Sequence, residues 1–232
     1  MGEVTVVLTV WKRNNLEKQL EAIKNQTASI DEIYVYQNES HLDISYLQKK
    51  YSFKHIHSKD KNFKFHGRFT LPLLFNTKYT AIFDDDTIPA RNWLNHCKEL
   101  CDERNCIVGA NCRNKNGFGS GLCDGIVNSE PIKCDIVGHC WFFKTEWIHY
   151  MWRESAPTFE NGEDIHFCAS CQIYGDIDSY LPTQEESVPE NWGDTNPNLG
   201  GDEFATWRKI DHNDIRHSLY KYWENKGWRT NK

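Results

Sequence analysis

The chain has 232 residues, 39% of them hydrophobic, enough for a substantial core within one large α/β domain. A formal net charge of -6 gives no clustered basic surface for a nucleic-acid backbone, so no nucleic-acid partner is expected and a phosphate-bearing substrate would need a cation. Nine cysteines, an odd number spread from Cys97 to Cys171 without the dense spacing of a secreted scaffold, read as reduced thiols without disulfides in a cytoplasmic protein.

From Gly2 the chain runs into Val4–Val10, an apolar run that predicts a buried strand, with no signal-peptide pattern before it. No apolar run approaches the roughly 20 residues that span a bilayer, so no transmembrane segment is expected. Asn14 or Asn15 can cap a helix that places Leu16, Leu20 and Ile23 on one face, and Ile33 to Tyr36 reads as the second strand. Phe53 to His57 follows as a third strand, and Phe69 to Asn76 as a helix with Leu71 and Leu74 inward. Tyr79 to Phe83 is an apolar strand that ends in Asp84, Asp85 and Asp86, and Pro89 closes the turn. Asn92 is placed to cap a helix through Glu103 with Leu94, Cys97 and Leu100 at core spacing, before a strand from Ile107 to Ala110. The Gly-rich polar segment 114–125 predicts a long loop of the kind that rims a site. Beyond it, Ile132 to Phe143 resumes strand character, a helix is expected over 144–151 and another over 163–174, and 182–201 is polar with Pro and Gly. The alternation in the first half argues for crossover units on a mainly parallel sheet.

The chemistry concentrates in two acidic groups. Asp84, Asp85 and Asp86 stand at the carboxyl end of a central strand, where open α/β sheets bind ligands, and three adjacent carboxylates are best compensated there by a divalent cation with oxygen ligands, Mg²⁺ or Mn²⁺. A solvated acidic turn is the plainer alternative. Glu163 and Asp164 fall in the first turn of a helix that Asn161 can cap, where the helix dipole favours ionised carboxylates. First-turn acids also occur for helix stability alone. Cys168 and Cys171 have metal spacing but no second pair, and both suit a core helix face, so zinc is not expected. Nine tryptophans are many for this length; core filling covers most, while Trp141 and Trp207 could offer flat apolar faces to a sugar.

The segment Tyr79-Thr80-Ala81-Ile82-Phe83-Asp84-Asp85-Asp86 resembles the Asp-x-Asp motif of GT-A-fold glycosyltransferases. Val4 to Arg13 is similar to the first strand and turn of family 2 type members, Glu32 to Asn38 to their second strand, and Gly162-Glu163-Asp164 to the motif that supplies the base of inverting members. Glycosyltransferase domains of large algal viruses are similar. The resemblance implies an α/β GT-A fold, a mixed and mostly parallel sheet flanked by helices. It implies one domain over 1–232, with a nucleotide-binding half to about residue 110 and an acceptor half with a C-terminal extension after it. The implied reaction moves a sugar from a nucleotide diphosphate donor, UDP-linked, to a hydroxyl of a glycan or glycoprotein acceptor with inversion, and for a viral chain the location would be the host cytoplasm.

Carried over by position, Thr9, Val10 and Asn38 would line the base pocket, and Asp84 and Asp85 would meet the donor. Asp86 would ligate Mn²⁺ or Mg²⁺, and Arg13 and Arg68 would contact the diphosphate, since a guanidinium matches phosphate oxygens. Asp164 would be the catalytic base beside Glu163 on the acceptor side, with His139, Trp141 and Trp207 toward the sugar or acceptor and His212 reaching back as a third metal ligand. A lone histidine is more often a surface or helix residue than a ligand. Two other function classes meet the same acidic turn: an aspartate-nucleophile phosphohydrolase, whose threonine would arrive one place later, and a non-catalytic nucleotide-sugar binding module, against which the Glu163-Asp164 pair argues.

Overall fold

The computed structural model describes residues 2–117, 119–121 and 127–231. β1 (Val4–Val10) is buried along almost its whole length because parallel neighbours cover both edges, β2 (Ile30–Asn38) on one side and β4 (Tyr79–Phe83) on the other. β3 (Lys54–Ser58) adds to the outer edge of β2 and is correspondingly exposed. The crossovers are α1 (Leu16–Lys24), the short α2 (Ser45–Lys50) and a 3₁₀ segment, Gly67–Leu74.

After β4 the pattern changes. The chain passes through α3 (Trp93–Arg104) to β5 (Ile107–Arg113), and after the two-residue β6 (Gly119–Ser120) and β7 (Ile132–Cys134) it enters β8 (Ile136–Lys144). β8 inserts antiparallel between β4 and β5, and β9 (Ser179–Leu181) lies parallel to β5. The order is β3-β2-β1-β4-β8-β5-β9-β7, with β6 paired to β5. Thus β1 to β5 and β9 run one way and β6, β7 and β8 the other, a mixed and mostly parallel sheet that is continuous through both halves of the sequence. Its helical cover includes α4 (Ile148–Met151), α5 (Glu163–Gly175) and α6 (His212–Asn225), which buries Leu219, Tyr220 and Trp223. Among the described residues, no helix is long and apolar enough to cross a membrane.

Several expectations are corrected. Leu74 is not inward but 83% exposed, because a segment with three residues per turn buries Phe69 and Pro72 and turns Leu74 outward. The run from Ile132 to Phe143 is two strands, broken at Asp135, whose carboxylate accepts the backbone N–H groups of Lys115 at 2.7 Å and Asn231 at 2.6 Å as the chain changes partners from β9 to β4 and β5. Residues 144–151 begin as a 3₁₀ turn, Thr145–Trp147, before the single turn of α4. Asn15 and Asn92 stand at helix N-caps without capping through their side chains, and the N-cap of α5 is Gly162 at φ 80° instead of Asn161, whose side chain accepts the Gly162 N–H at 2.6 Å. The expectation of no disulfide is overturned as well: Cys112 on β5 and Cys134 on β7 are bonded, their Cα atoms 5.6 Å apart. Both strands flank β9, a neighbourhood created by the sheet and invisible in cysteine spacing. The inference of a reducing compartment loses its basis with it. Cys168 and Cys171 are buried on α5 as free thiols. Within the expected rim loop 114–125, residues 118 and 122–125 lie outside the described residues.

Candidate active site

The strand β4 is cut off at Phe83 because the next three residues are acidic and cannot be buried in a sheet without compensation. The Asp84 N–H still donates to the His139 carbonyl of β8 at 2.9 Å, so the acidic turn begins where the antiparallel ladder ends. Each carboxylate meets a guanidinium. Arg68, buried and lying over the face of Trp141 at 4.8 Å, pairs with Asp84 and, at 3.0 Å, with Glu163. Arg13 reaches Asp85 at 2.6 Å and Asp86 at 3.0 Å through one nitrogen, and its other edge holds Asp202 in a two-point pair at 2.7 and 2.8 Å.

This crowding shifts the acids. Burial pushes the Asp85 carboxyl up to about 6, with Asp86 and Asp84 adding to the rise and Arg13 opposing it. Asp86 is pushed up by burial and by Asp84. Glu163 rises to about 7 through burial and the adjacent Asp164, against the pull of Arg68. His139 occupies a left-handed backbone conformation, φ 62°, rare for a residue with a Cβ, and its ring faces the buried Asp194 at 3.4 Å. Burial disfavours its charged form, yet the Asp194 hydrogen bond together with Asp86 and Asp84 outweighs that and lifts it to about 8.

A cleft of about 1000 Å³ runs over these strand ends, its lining including Thr9, Val10, Asn38, Trp207 and His212. A smaller cavity of about 170 Å³ brings Asp84 together with Glu163, Asp164, His139 and Trp141. The structure therefore assembles most of the expected residues around one opening, with particulars the sequence did not show. The Thr9 hydroxyl donates to the Phe83 carbonyl at 2.9 Å, and Asn38 holds the 63–64 backbone through both ends of its amide. Trp141 is a buried floor under Arg68, whereas Trp207 is a rim residue, 60% exposed, with Arg208 over its ring. His212 is hydrogen-bonded to Asn161 at 2.9 Å and is not gathered with the aspartates; among the described residues no three His, Cys, Asp or Glu side chains form a metal-ligating group.

Three partners escaped the sequence reading. Arg216 of α6 grips Asp164 at two points, 3.0 and 2.8 Å. Asp194 backs His139, and Asp202 caps Arg13. Each acts across 52 to 189 residues of chain, so no local spacing signals them.

No family model and no curated protein matches the sequence. Among solved structures, the chain is similar to S. aureus TarS at 11% identity and a TM-score of 0.57, over 97% of this chain and 43% of that one. It is also similar to TarS 1-349, at 12% identity and a TM-score of 0.57 over 97% of this chain and 71% of that one. For TarS 1-349 in complex with UDP-GlcNAc the identity is 10% and the TM-score 0.64, over 99% of this chain and 68% of that one. The chain thus spans less than half of the full TarS chain. At such identities the likeness is one of fold, and the fold is GT-A: an α/β arrangement with a mixed, mostly parallel sheet flanked by helices.

Proposed function

We propose that this chain is a glycosyltransferase that moves a sugar from a UDP-linked donor to a hydroxyl of a glycan or glycoprotein acceptor, with inversion at the anomeric carbon. One observation carries the reading: Asp84, at the end of β4, and the Glu163-Asp164 pair, at the start of α5, line a single cavity although about 80 residues separate them. The GT-A architecture, shared with a protein crystallised with UDP-GlcNAc, supports the choice of donor class.

Asp164 accepts the proton of the acceptor hydroxyl as its oxygen bonds to the anomeric carbon, while the bond to the diphosphate breaks on the opposite face. Arg216 orients that carboxylate through its two-point pair. Arg13 presents a planar fork to the diphosphate once Asp202 yields its edge. The donor set suits Mn²⁺ or Mg²⁺, since two hard carboxylates plus substrate phosphates and water are the usual complement, and a divalent charge relieves the crowding that pushes Asp86 up. Asp86 and Asp84 would hold the ion, which when bound supplies Lewis-acid stabilisation of the leaving diphosphate.

Calorimetric titration with UDP, GDP and their sugar conjugates, with and without Mn²⁺, tests the reading. UDP binding that requires Mn²⁺ and falls at least about tenfold in Asp86→Ala is expected. Asp164→Asn should keep donor binding within about twofold and lower transfer by roughly 10²- to 10⁴-fold. Absence of nucleotide binding by the folded protein in Mn²⁺ would overturn the proposal, and phosphate release from simple phosphoesters would replace it with a phosphohydrolase.

A further inference from the structure

The acidic turn poses a mechanical problem. Its carboxylates repel one another, and the backbone carbonyls of residues 84, 85 and 87 lie beyond the last β4 pairing, so the sheet cannot hold them. A further lysine or arginine pinning this backbone would compete with Arg13 and Arg68 for the carboxylates and be drawn off the carbonyls. Neutral amide donors avoid that conflict.

α1 supplies such donors. The Gln19 side chain, fully buried, donates to the Asp84 carbonyl at 2.6 Å and the Thr87 carbonyl at 3.0 Å, spanning the turn. Asn15, one helical turn earlier, donates to the Asp85 carbonyl at 3.1 Å. Gln26, just past the helix end, donates to the Ala90 carbonyl at 2.7 Å and accepts the Leu94 N–H at 3.1 Å. Positions 15, 19 and 26 fall on one face at about 100° per residue, so one helix edge lies along the segment that follows β4. Gln19 commits both amide bonds to this backbone, and its oxygen, buried, has no protein partner. Burying a polar residue in a helix face otherwise made of Leu16, Leu20 and Ile23 is costly unless its position is needed.

We propose that α1 is the positioning element of the donor site, with Gln19 and Asn15 clamping the carbonyls of residues 84, 85 and 87 so that the three carboxylates are held in place and remain available to cationic partners. Gln26 makes the same type of bond from the same face but beyond the turn, and so serves as an internal control. This assignment rests on the reading of Asp84, Asp85 and Asp86 as the donor's site.

Gln19→Met, which keeps length and removes both donors, is compared with Gln26→Met and with the half-buried Asn15→Ala. Hydrogen exchange is followed by mass spectrometry, and UDP binding by calorimetry in Mn²⁺. Gln19→Met should speed exchange of the amides of residues 84–88 roughly tenfold, the effect of losing about one net hydrogen bond to each carbonyl. It should weaken UDP by a similar factor. Asn15→Ala should do the same to a lesser degree, while Gln26→Met should speed exchange only near residues 90–95 and leave UDP binding within about twofold. Equal effects of Gln19→Met and Gln26→Met on UDP at matched loss of melting temperature, or unchanged exchange at 84–88 in both Gln19→Met and Asn15→Ala, would overturn the clamp. If wild type binds no nucleotide, the donor reading fails while the exchange pattern still decides whether α1 holds the turn; if Gln19→Met does not fold, Asn15→Ala against Gln26→Met decides it.

Discussion

Arg68 shows how one side chain serves two opposing demands. It is buried between Asp84 and Glu163, lies over Trp141, and joins residues from the end of β4 to the start of α5. Removing it leaves the buried Glu163 and the partly buried Asp84 without that partner, and breaking a buried pair costs about 3–5 kcal/mol. Arg68→Met should therefore lower stability in urea by about that amount at neutral pH. Arg13→Met should cost less, because Arg13 is itself less buried than Arg68, 12% exposed against 6%, and one of its partners, Asp202, is 34% exposed. If the two variants proved equally stable, Arg68 would not be compensating buried charge. The sequence placed both arginines near phosphate. Their carboxylate partners came from Asp84 and Glu163 in one case and from Asp85, Asp86 and Asp202 in the other, residues that only the fold brings together.

At the scale of elements, the polar segment 197–209 is a strap across the cleft. Asp202 holds Arg13 through two oxygens, Phe204 packs edge-on against Trp11 at 6.0 Å, and a Cβ at Gly200 would overlap the Asp86 carboxylate, so a larger residue there would displace that carboxylate. In the proposed reaction, Asp202 competes with the diphosphate for Arg13. Asp202→Asn is expected to tighten UDP about threefold to tenfold, the worth of a charge-assisted bond discounted for partial exposure, and to make the strap more sensitive to protease. Weaker UDP binding in that variant would mean that the strap helps to hold the donor. The Cys112–Cys134 bond ties β5 to β7 across a sequence separation of 22, and replacing both cysteines by serine should cost about 2–4 kcal/mol, read as a lowered melting temperature under oxidising conditions. The elements themselves were legible where periodicity is strong, as in β1, β4, α3 and α5. It failed where the 3₁₀ period replaced the α period at Leu74 and where Asp135 divides a continuous apolar run.

For the whole molecule, the buried titratable groups set the pH dependence of stability. His66 is buried without a hydrogen-bond partner, which drives it down to about 3; the unfolded chain alone takes up its proton as pH falls through about 6.5, so its contribution to stability is lost below that point. Glu163 and His139 act in the other direction: their folded values, about 7 and about 8, lie above the ordinary ones, so their stabilisation is full at low pH and is lost as pH rises through those values. Above about pH 6.5 none of the three adds further stability and both raised groups lose theirs, so the melting temperature should fall as pH rises from about 6.5 to 8. Glu163→Gln should gain on wild type as pH rises from about 4.5 to 7, since the charged form is buried and faces Asp164 and Asp84 as well as Arg68. A difference that stays flat across that window would show that Glu163 is not held in its neutral form.

The sequence by itself determined most of the strands and helices from β1 to β5, the acidic turn at the end of β4 and the acidic start of α5, because hydrophobic period and abrupt charge are local properties of the chain. Tertiary structure alone decided which cation answers each carboxylate, that Cys112 meets Cys134, that His139 is backed by Asp194, and that α1 turns its amides toward the 84–87 carbonyls. Those are pairings between segments tens to nearly two hundred residues apart, and their energies depend on burial and distance that exist only once the sheet has closed.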